Sequence, residues 1–463
     1  MQISVILSEI QRSLAPHAKD TQIMATHRRQ ALRTATRNSL IIETIFLVGL
    51  VIVIAVVYWT YQIISNIELE KHDGSSISSP LNLKHSPLKK QDKLHADKES
   101  IDSTGGFARL SQIAQDLAAL SPEETLQKLK EDDPFETRAF DSQLIEHETK
   151  LGRVLTIDEI RELFPCPAEQ ERITLPDARV HQKGLDFREN KPGSFLFFQH
   201  LRKAGGTNFC SLAEKNLPKH ALPPYYCMPD MGWTGGKRAG YLHDWSNEDI
   251  TRKMKQQGFR IAGNEWENFD VSRHFELPAI FATSFRKPLD RALSQFRFEC
   301  IENRGCRIKD VHKWWATRQD LYNVYTQTFS DIESGAQIYF RGNAAKQRRL
   351  LMETAISTLA RFHLVISMEW LAYAGPLVTS VLGWNDLTAL TTRVRPHIGQ
   401  AKREDGQENN ALGSASIKKA SWVPEEYLDA EQYKKMSEDL ALDEVLTDVA
   451  RRMFLERLVC ENQ

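Results

Sequence analysis

The run Thr44–Ile64, TIFLVGLVIVIAVVYWTYQII, carries no charged side chain. Its roughly 21 residues make about 31 Å of helix, the thickness of the hydrocarbon core of a bilayer. A buried helix of a globular domain would rarely run this long without a polar face. A signal peptide would be shorter and would start nearer Met1. Tyr58, Trp59 and Tyr61 stand at the C-terminal end of the run, where an aromatic belt belongs. Arg12, Lys19, Arg28, Arg29, Arg33 and Arg37 precede it, and Glu68 and Glu70 follow. The positive-inside rule then predicts a single-pass type II membrane protein. Residues 1–43 form a cytosolic tail, 44–64 a transmembrane helix, and everything beyond lies in the secretory lumen.

The lumenal part has the composition of a folded protein. Hydrophobic residues are 41% of the chain and charged residues 26%, enough to bury an ordinary core. A net charge of −1 gives no basic field, so no nucleic-acid partner is expected. None of the six cysteines falls in a C-x-x-C pair, so no metal is expected either. In an oxidising lumen they should pair with one another. Cys300 and Cys306 bracket the short stretch IENRG and are the first pair expected; Cys210 with Cys227 is the second.

Along the chain, Lys71–Gly106 is rich in Ser, Lys, Asp and His and reads as a flexible stem. Phe107–Glu171 shows helical spacing, with a helix start at Ser121-Pro122-Glu123-Glu124. Residues 65–190 are therefore expected to be stem and helical spacer. From Lys191 the pattern changes. SFLFFQHL, LPAIFATSF and FHLVIS are short apolar runs with helical stretches between them. That alternation predicts an α/β domain over 191–463 with a central, mostly parallel sheet.

Chemistry is concentrated at two strand–helix junctions. In FLFFQHLRKAGGTNFC, a Lys, two Gly and a Thr lie between a buried strand and a helix start. Glycines let backbone N–H groups approach an anion, the helix dipole favours negative charge, and Lys203 adds a full positive charge. The Lys precedes the glycines, so this is not a Walker A loop. In TSFRKPLDRALSQFRF, Arg286 ends a strand and Ser294 follows eight residues later. A guanidinium and a hydroxyl at that spacing suit a second phosphate. A plain tight turn and a charged helix face are the bland readings of the same two stretches.

HLRKAGGTNF resembles the 5′-phosphosulfate loop of the Golgi membrane-bound carbohydrate sulfotransferases, and most closely the HIPKTGGT-type loop of the heparan sulfate 6-O-sulfotransferases. FRKPLDRALSQF resembles their 3′-phosphate motif, R-D-P-x-x-R-x-x-S. Weaker similarity continues through NVYTQTFSD, AISTLARFHLVISMEWL and LDEVLTDVARRMFLERL, so the resemblance covers about 191–463. It implies a P-loop-like sulfotransferase fold, a Golgi membrane location, PAPS (3′-phosphoadenosine 5′-phosphosulfate) as co-substrate without metal, and a glycan or glycoprotein acceptor. It also implies that Lys203 acts on the bridging oxygen. Arg202, Lys203, Gly205, Gly206, Thr207 and Asn208 would bind the 5′ side, and Arg286 and Ser294 the 3′-phosphate. Three positions depart from the motifs. Ala204 replaces a Thr, Arg202 a Pro, and Lys287 an Asp, the last two adding charge to the cradle. RVRPHIGQAKRED matches the adenine loop poorly, and no adenine contact is carried over.

A sugar hydroxyl needs a general base. GYLHDWSNE resembles the family's G-L-H-A-D-W stretch, which implies that His243 is that base; Glu265 in GNEWENF is the second candidate. Imidazole titrates near working pH, which suits the task. His200 reads as a loop-bracing histidine. Tyr225, Tyr226, Trp233, Tyr241, Trp245 and Trp266 crowd the region between the two anion motifs and either stack on sugars or belong to the core. A glycosyltransferase would be expected to carry D-x-D, and the chain has none. A tyrosylprotein sulfotransferase and a non-catalytic glycan-binding protein of the same fold remain as alternatives. The topology is open to direct test: in sealed microsomes the chain beyond Ile64 should resist protease until detergent is added.

Overall fold

Four short runs that bury every residue form β1 Phe195–Gln199, β2 Ile261–Asn264, β3 Ala279–Phe285 and β4 Leu364–Ser367. Strands apolar on both faces belong in a parallel sheet covered on both sides, and this is what they make. The order is β2-β1-β3-β4 and all three pairings are parallel. Phe197 stands opposite both Ala262 and Phe281, and Thr283 opposite Val365. The computed structural model describes residues 105–173, 195–230, 239–243, 245–265, 268–275, 279–332, 344–392, 424 and 427–460. The Thr44–Ile64 run, most of the stem, the RVRPHIGQAKRED stretch, Trp233 and Trp266 lie outside them. Among the described residues no helix is long and apolar enough to cross a membrane.

The helices used below are α1 Gly106–Ala119, α2 Pro122–Glu131, α3 Thr137–Leu151, α4 Ile157–Leu163, α5 Gly206–Asn216, α6 Asn247–Gln257, α7 Pro288–Phe296, α8 Val324–Ser330, α9 Ala344–Leu359 and α10 Ala441–Cys460. The helix start read from the sequence is real. Ser121 caps α2 in a full capping box with Glu124, and Pro122 occupies the first turn.

Side chains alternate across the sheet as a two-residue period requires. Phe195, Phe197, Phe281 and Val365 point into one core with Phe107 and Leu110 of α1, Phe329 of α8 and Met352 of α9. Leu196, Phe198, Ile280 and Ile366 point into the other with Phe140 and Leu144 of α3, Ile160 of α4 and Phe209 of α5. Helix α10 serves both, placing Val445 and Val449 in the first core and Phe454 and Leu458 in the second. Its Arg457 donates to the carbonyls of Phe362 and His363, just before β4.

The helices over 106–163 are thus not a spacer set apart from the sheet domain. They contribute to both cores, and a disulfide joins Cys166, beyond α4, to Cys460 at the end of α10. The two expected pairs, Cys210–Cys227 and Cys300–Cys306, are also formed, which leaves no free cysteine.

A buried carboxylate locks this arrangement. Asp141 of α3 meets Lys287 Nζ at 2.8 Å and Arg451 Nη2 at 2.9 Å, and accepts from Trp370 Nε1 at 3.0 Å. Arg451 lies over the Trp370 ring, 4.0 Å from its centroid. Burial alone would raise the Asp141 pKa, but the Arg451 and Lys287 charges and the Trp370 hydrogen bond outweigh it and hold the carboxyl well below the usual range. Lys287, expected to add charge to the cradle, spends it here. Asp141→Ala should cost about 3–5 kcal/mol in urea denaturation, because Arg451 and Lys287 lose the carboxylate that lies between them. The folded pKa is depressed, so the contribution of Asp141 is complete above the ordinary Asp value near ~3.9 and is lost as the pH falls below it.

Candidate functional site

All four strands run the same way, so all four carboxyl ends open on one edge. From β1 the chain passes through α5 to β2 on one side; from β3 it passes to β4 on the other. The connections leaving β1 and β3 therefore diverge, and a crevice opens between them, the usual ligand position in such sheets. The two anion motifs are the two walls of this crevice.

The first wall is the loop from His200 to Gly205. Ser284 Oγ donates to the Ala204 carbonyl at 2.6 Å, and Thr283 Oγ1 to the Gln199 carbonyl at 2.9 Å, so β3 fixes both ends of the loop. Lys203 sits at φ 65° and Gly205 at φ 99°. A Lys in this left-handed region is uncommon, costs about 1–3 kcal/mol and persists only where its surroundings hold it. Gly205 is the N-cap of α5 and offers no side chain to the first turn. The α5 N-terminus is thus capped by backbone geometry alone, and its N–H groups face the crevice end of the sheet. Gly206 is required for another reason: an added Cβ would lie 1.7 Å from His200 Nε2. The His200 ring fills that space, stacked near Phe198 and 3.7 Å from Glu265. Burial pushes the His200 pKa down, and the Arg202 and Lys203 charges reinforce this against the pull of Glu265. His200 is the neutral brace of the loop.

The second wall is the β3–α7 junction. Arg286 Nη1 donates to the Lys203 carbonyl at 3.5 Å, while its own carbonyl accepts from Tyr325 Oη at 3.0 Å. Ser294 is buried two turns into α7. Beyond α7 the chain widens into a π-helical turn, Arg297–Glu302, a feature common near functional sites. This turn supports the first wall. Phe298 presents its ring to Lys203 Nζ, 4.3 Å from the centroid, and Glu299 meets Arg202 Nη2 at 3.4 Å. Glu299 also bonds Arg318 and Gln295, and Cys300–Cys306 closes the segment behind it. Thr207 lies partly exposed in the first turn of α5. The Asn208 side chain faces away, donating to the carbonyls of Ala389 and Thr392 at 3.2 and 3.3 Å.

The two candidate bases approach from β2. Asn264, its last residue, accepts from the Leu242 backbone N–H at 3.1 Å and donates through Nδ2 to Gln199 Oε1 at 3.0 Å. This ties the loop carrying His243 to the end of β1. Arg273 clamps the same loop: one nitrogen donates to the carbonyls of Leu242 and His243, both at 3.1 Å, the other to that of Trp245 at 2.7 Å. His243 Nε2 lies 2.7 Å from Asp331 Oδ1, at the C-terminus of α8. A histidine oriented by a carboxylate is one arrangement that suits a general base. Glu265 is instead turned toward His200. Asp331, Arg273, Asn264 and Phe298 had no signal in the sequence that marked them; Asp331 is separated from His243 by 88 positions. Among the described residues no cluster of His, Cys, Asp and Glu is arranged to hold a metal ion.

Neither a family model, nor a curated protein, nor a solved structure matches this chain. The site therefore rests on its own geometry. Gly206→Ala should destabilise the fold by about 1–3 kcal/mol in thermal denaturation, as overpacking does. His200→Ala in the same chain should restore most of that loss, because it removes the atom the new methyl meets.

Proposed function

We propose that the chain is a PAPS-dependent sulfotransferase that transfers a sulfuryl group to a glycan hydroxyl, on a P-loop-like sulfotransferase fold. In this reading it is anchored in the Golgi membrane by Thr44–Ile64, with the described domain in the lumen. The observation that carries the reading is the pairing of two cationic strand ends, Lys203 after β1 and Arg286 after β3, across the crevice where the connections diverge.

The residues fit a nucleotide with two anionic groups. The α5 N-terminus has no side-chain cap and begins with two glycines, so a phosphate can take the place of one. Arg286 and Ser294 stand on the opposite wall, where a 3′-phosphate would lie. PAPS, when bound, supplies an activated sulfuryl group on a phosphate leaving group. Lys203 would neutralise charge growing on that phosphate, its ammonium steadied by Phe298. Gly205, Gly206 and Thr207 would hold the 5′ end through backbone N–H groups. Arg202 would complete the positive wall while Glu299 keeps it in place. His243 would take the acceptor proton, and the Asp331 carboxylate would stabilise the imidazolium formed.

The test is transfer of labelled sulfate from PAPS to a panel of glycans and tyrosine peptides, alongside 3′,5′-ADP binding. Lys203→Ala should lower turnover by about 10²–10³, as loss of one oxyanion donor does. Arg286→Ala should mainly weaken 3′,5′-ADP binding. His243→Ala should lower turnover with nucleotide affinity retained, and Asp331→Asn should do the same more mildly. A Lys203→Ala protein with ordinary turnover would refute the assignment of Lys203. Transfer to tyrosine peptides alone would move the acceptor from glycan to protein.

A further inference from the structure

Of the aromatic residues between the two anion motifs, Tyr225 and Tyr226 are the exposed pair among those described, at 52% and 41%, whereas Trp245 packs against the core. The two rings stand 5.0 Å apart at 80°, forming a corner. They are held on a turn that is hard to explain by chain reversal alone. Met228 N–H donates to the Tyr225 carbonyl at 2.8 Å, and both central residues, Tyr226 (φ 48°) and Cys227 (φ 58°), are left-handed. Two positive φ values in a tight turn normally select Asn-Gly. Here a bulky ring and a thiol take those places. The thiol has a clear use, since Cys227 is bonded to Cys210 of α5, the helix whose N-terminus forms the anion cradle. The ring has none inside the fold.

The turn also lies beside the site. The Cys227 carbonyl accepts from Gly263 N–H of β2 at 2.8 Å, two residues before Glu265. Met228 fills the space next to Gly240 and Gly263, and the Gly240 carbonyl accepts from Glu265 N–H at 3.0 Å. The tyrosine corner thus stands on the outer flank of the β2 carboxyl end, fixed to α5 by a covalent bond.

We propose that Tyr225 and Tyr226 form a sugar-binding platform that seats a pyranose ring of the acceptor glycan. This deepens the sulfotransferase reading and rests on it for the word acceptor; the platform itself does not depend on it. A pyranose has a C–H face that packs on an aromatic ring and a hydroxyl rim that bonds a phenol, and a tyrosine corner offers both. Two part-exposed tyrosines are a small surface beside the about 800 Å² that each side of a stable protein interface takes. The left-handed turn and the disulfide hold the rings in place before binding, so little ordering is required.

The experiment measures binding of hexasaccharides of desulfated heparin and of chondroitin to the full-length protein in lipid nanodiscs by calorimetry, with 3′,5′-ADP titrated separately. Tyr226→Asn keeps a residue suited to the turn while removing the ring, so failure to fold does not confound it. Tyr226→Asn and Tyr225→Ala should each weaken binding of a hexasaccharide on the order of tenfold, and Tyr225→Trp should retain it. Nucleotide affinity should be unchanged in all three. Hexasaccharide binding that is unaffected by both ring removals, or absent from the unsubstituted protein, would overturn the platform. Ring-dependent glycan binding in a protein that binds no 3′,5′-ADP would keep the platform and remove the sulfotransferase reading.

Discussion

Pairing β1 with β2 on one side and β3 on the other puts a single five-residue strand at the centre of the molecule. Because both pairings are parallel, every strand delivers its carboxyl end to the same edge, and the loops that leave there must share one small region. The contacts follow from this. Ser284 and Thr283 can reach the β1 loop only because β3 runs alongside in register. Asn264 reaches Gln199 because β2 does the same on the other flank. Slipping one pairing by a residue would turn Phe195 and Phe197 from one core to the other and would carry Lys203 away from Arg286.

Charge is handled in the same economical manner. The crevice carries Lys203, Arg202 and Arg286 close together, yet each has a defined contact within the fold: a ring, a carboxylate or a carbonyl. These contacts fix the direction of each side chain. Lys287, one residue further on, is different. It serves Asp141 and joins the helical layer to the sheet. Two adjacent basic residues in the same motif thus have separate tasks, one toward the crevice and one toward the architecture.

How much of this was readable in the sequence varied with the range of the interaction. The runs around Phe197, Phe281 and Ile366 announced strands because a buried parallel strand is apolar throughout. β2 was missed, since IAGN is short and ends in polar and glycine residues; its pairing comes from neighbours, not from its own composition. The helices over 106–163 were visible, but their place in both cores was not, because a helical period reveals a buried face without naming what covers it. The turn between β1 and α5 was legible as a local strand–turn–helix motif. Lys287 misled there, as no local feature discloses a partner 146 positions earlier. His243 was singled out by a short resemblance, whereas Asp331 and Arg273, which hold it in place, belong to distant segments.

The bond between Cys166 and Cys460 has a consequence in time. Its partners are 294 positions apart, so at about 5–20 residues per second of synthesis the first thiol waits roughly 15–60 seconds for the second. During that interval Cys210 and Cys227, only 17 positions apart, are already available to each other and to Cys166. Early closure of the short-range bridge would leave Cys166 unmated, and a mispaired Cys166 would have to be freed by thiol–disulfide exchange. The order in which the ribosome releases these residues therefore favours this connectivity, and a chain that stopped short of Cys460 would carry Cys166 without its partner into the compartment where it folds.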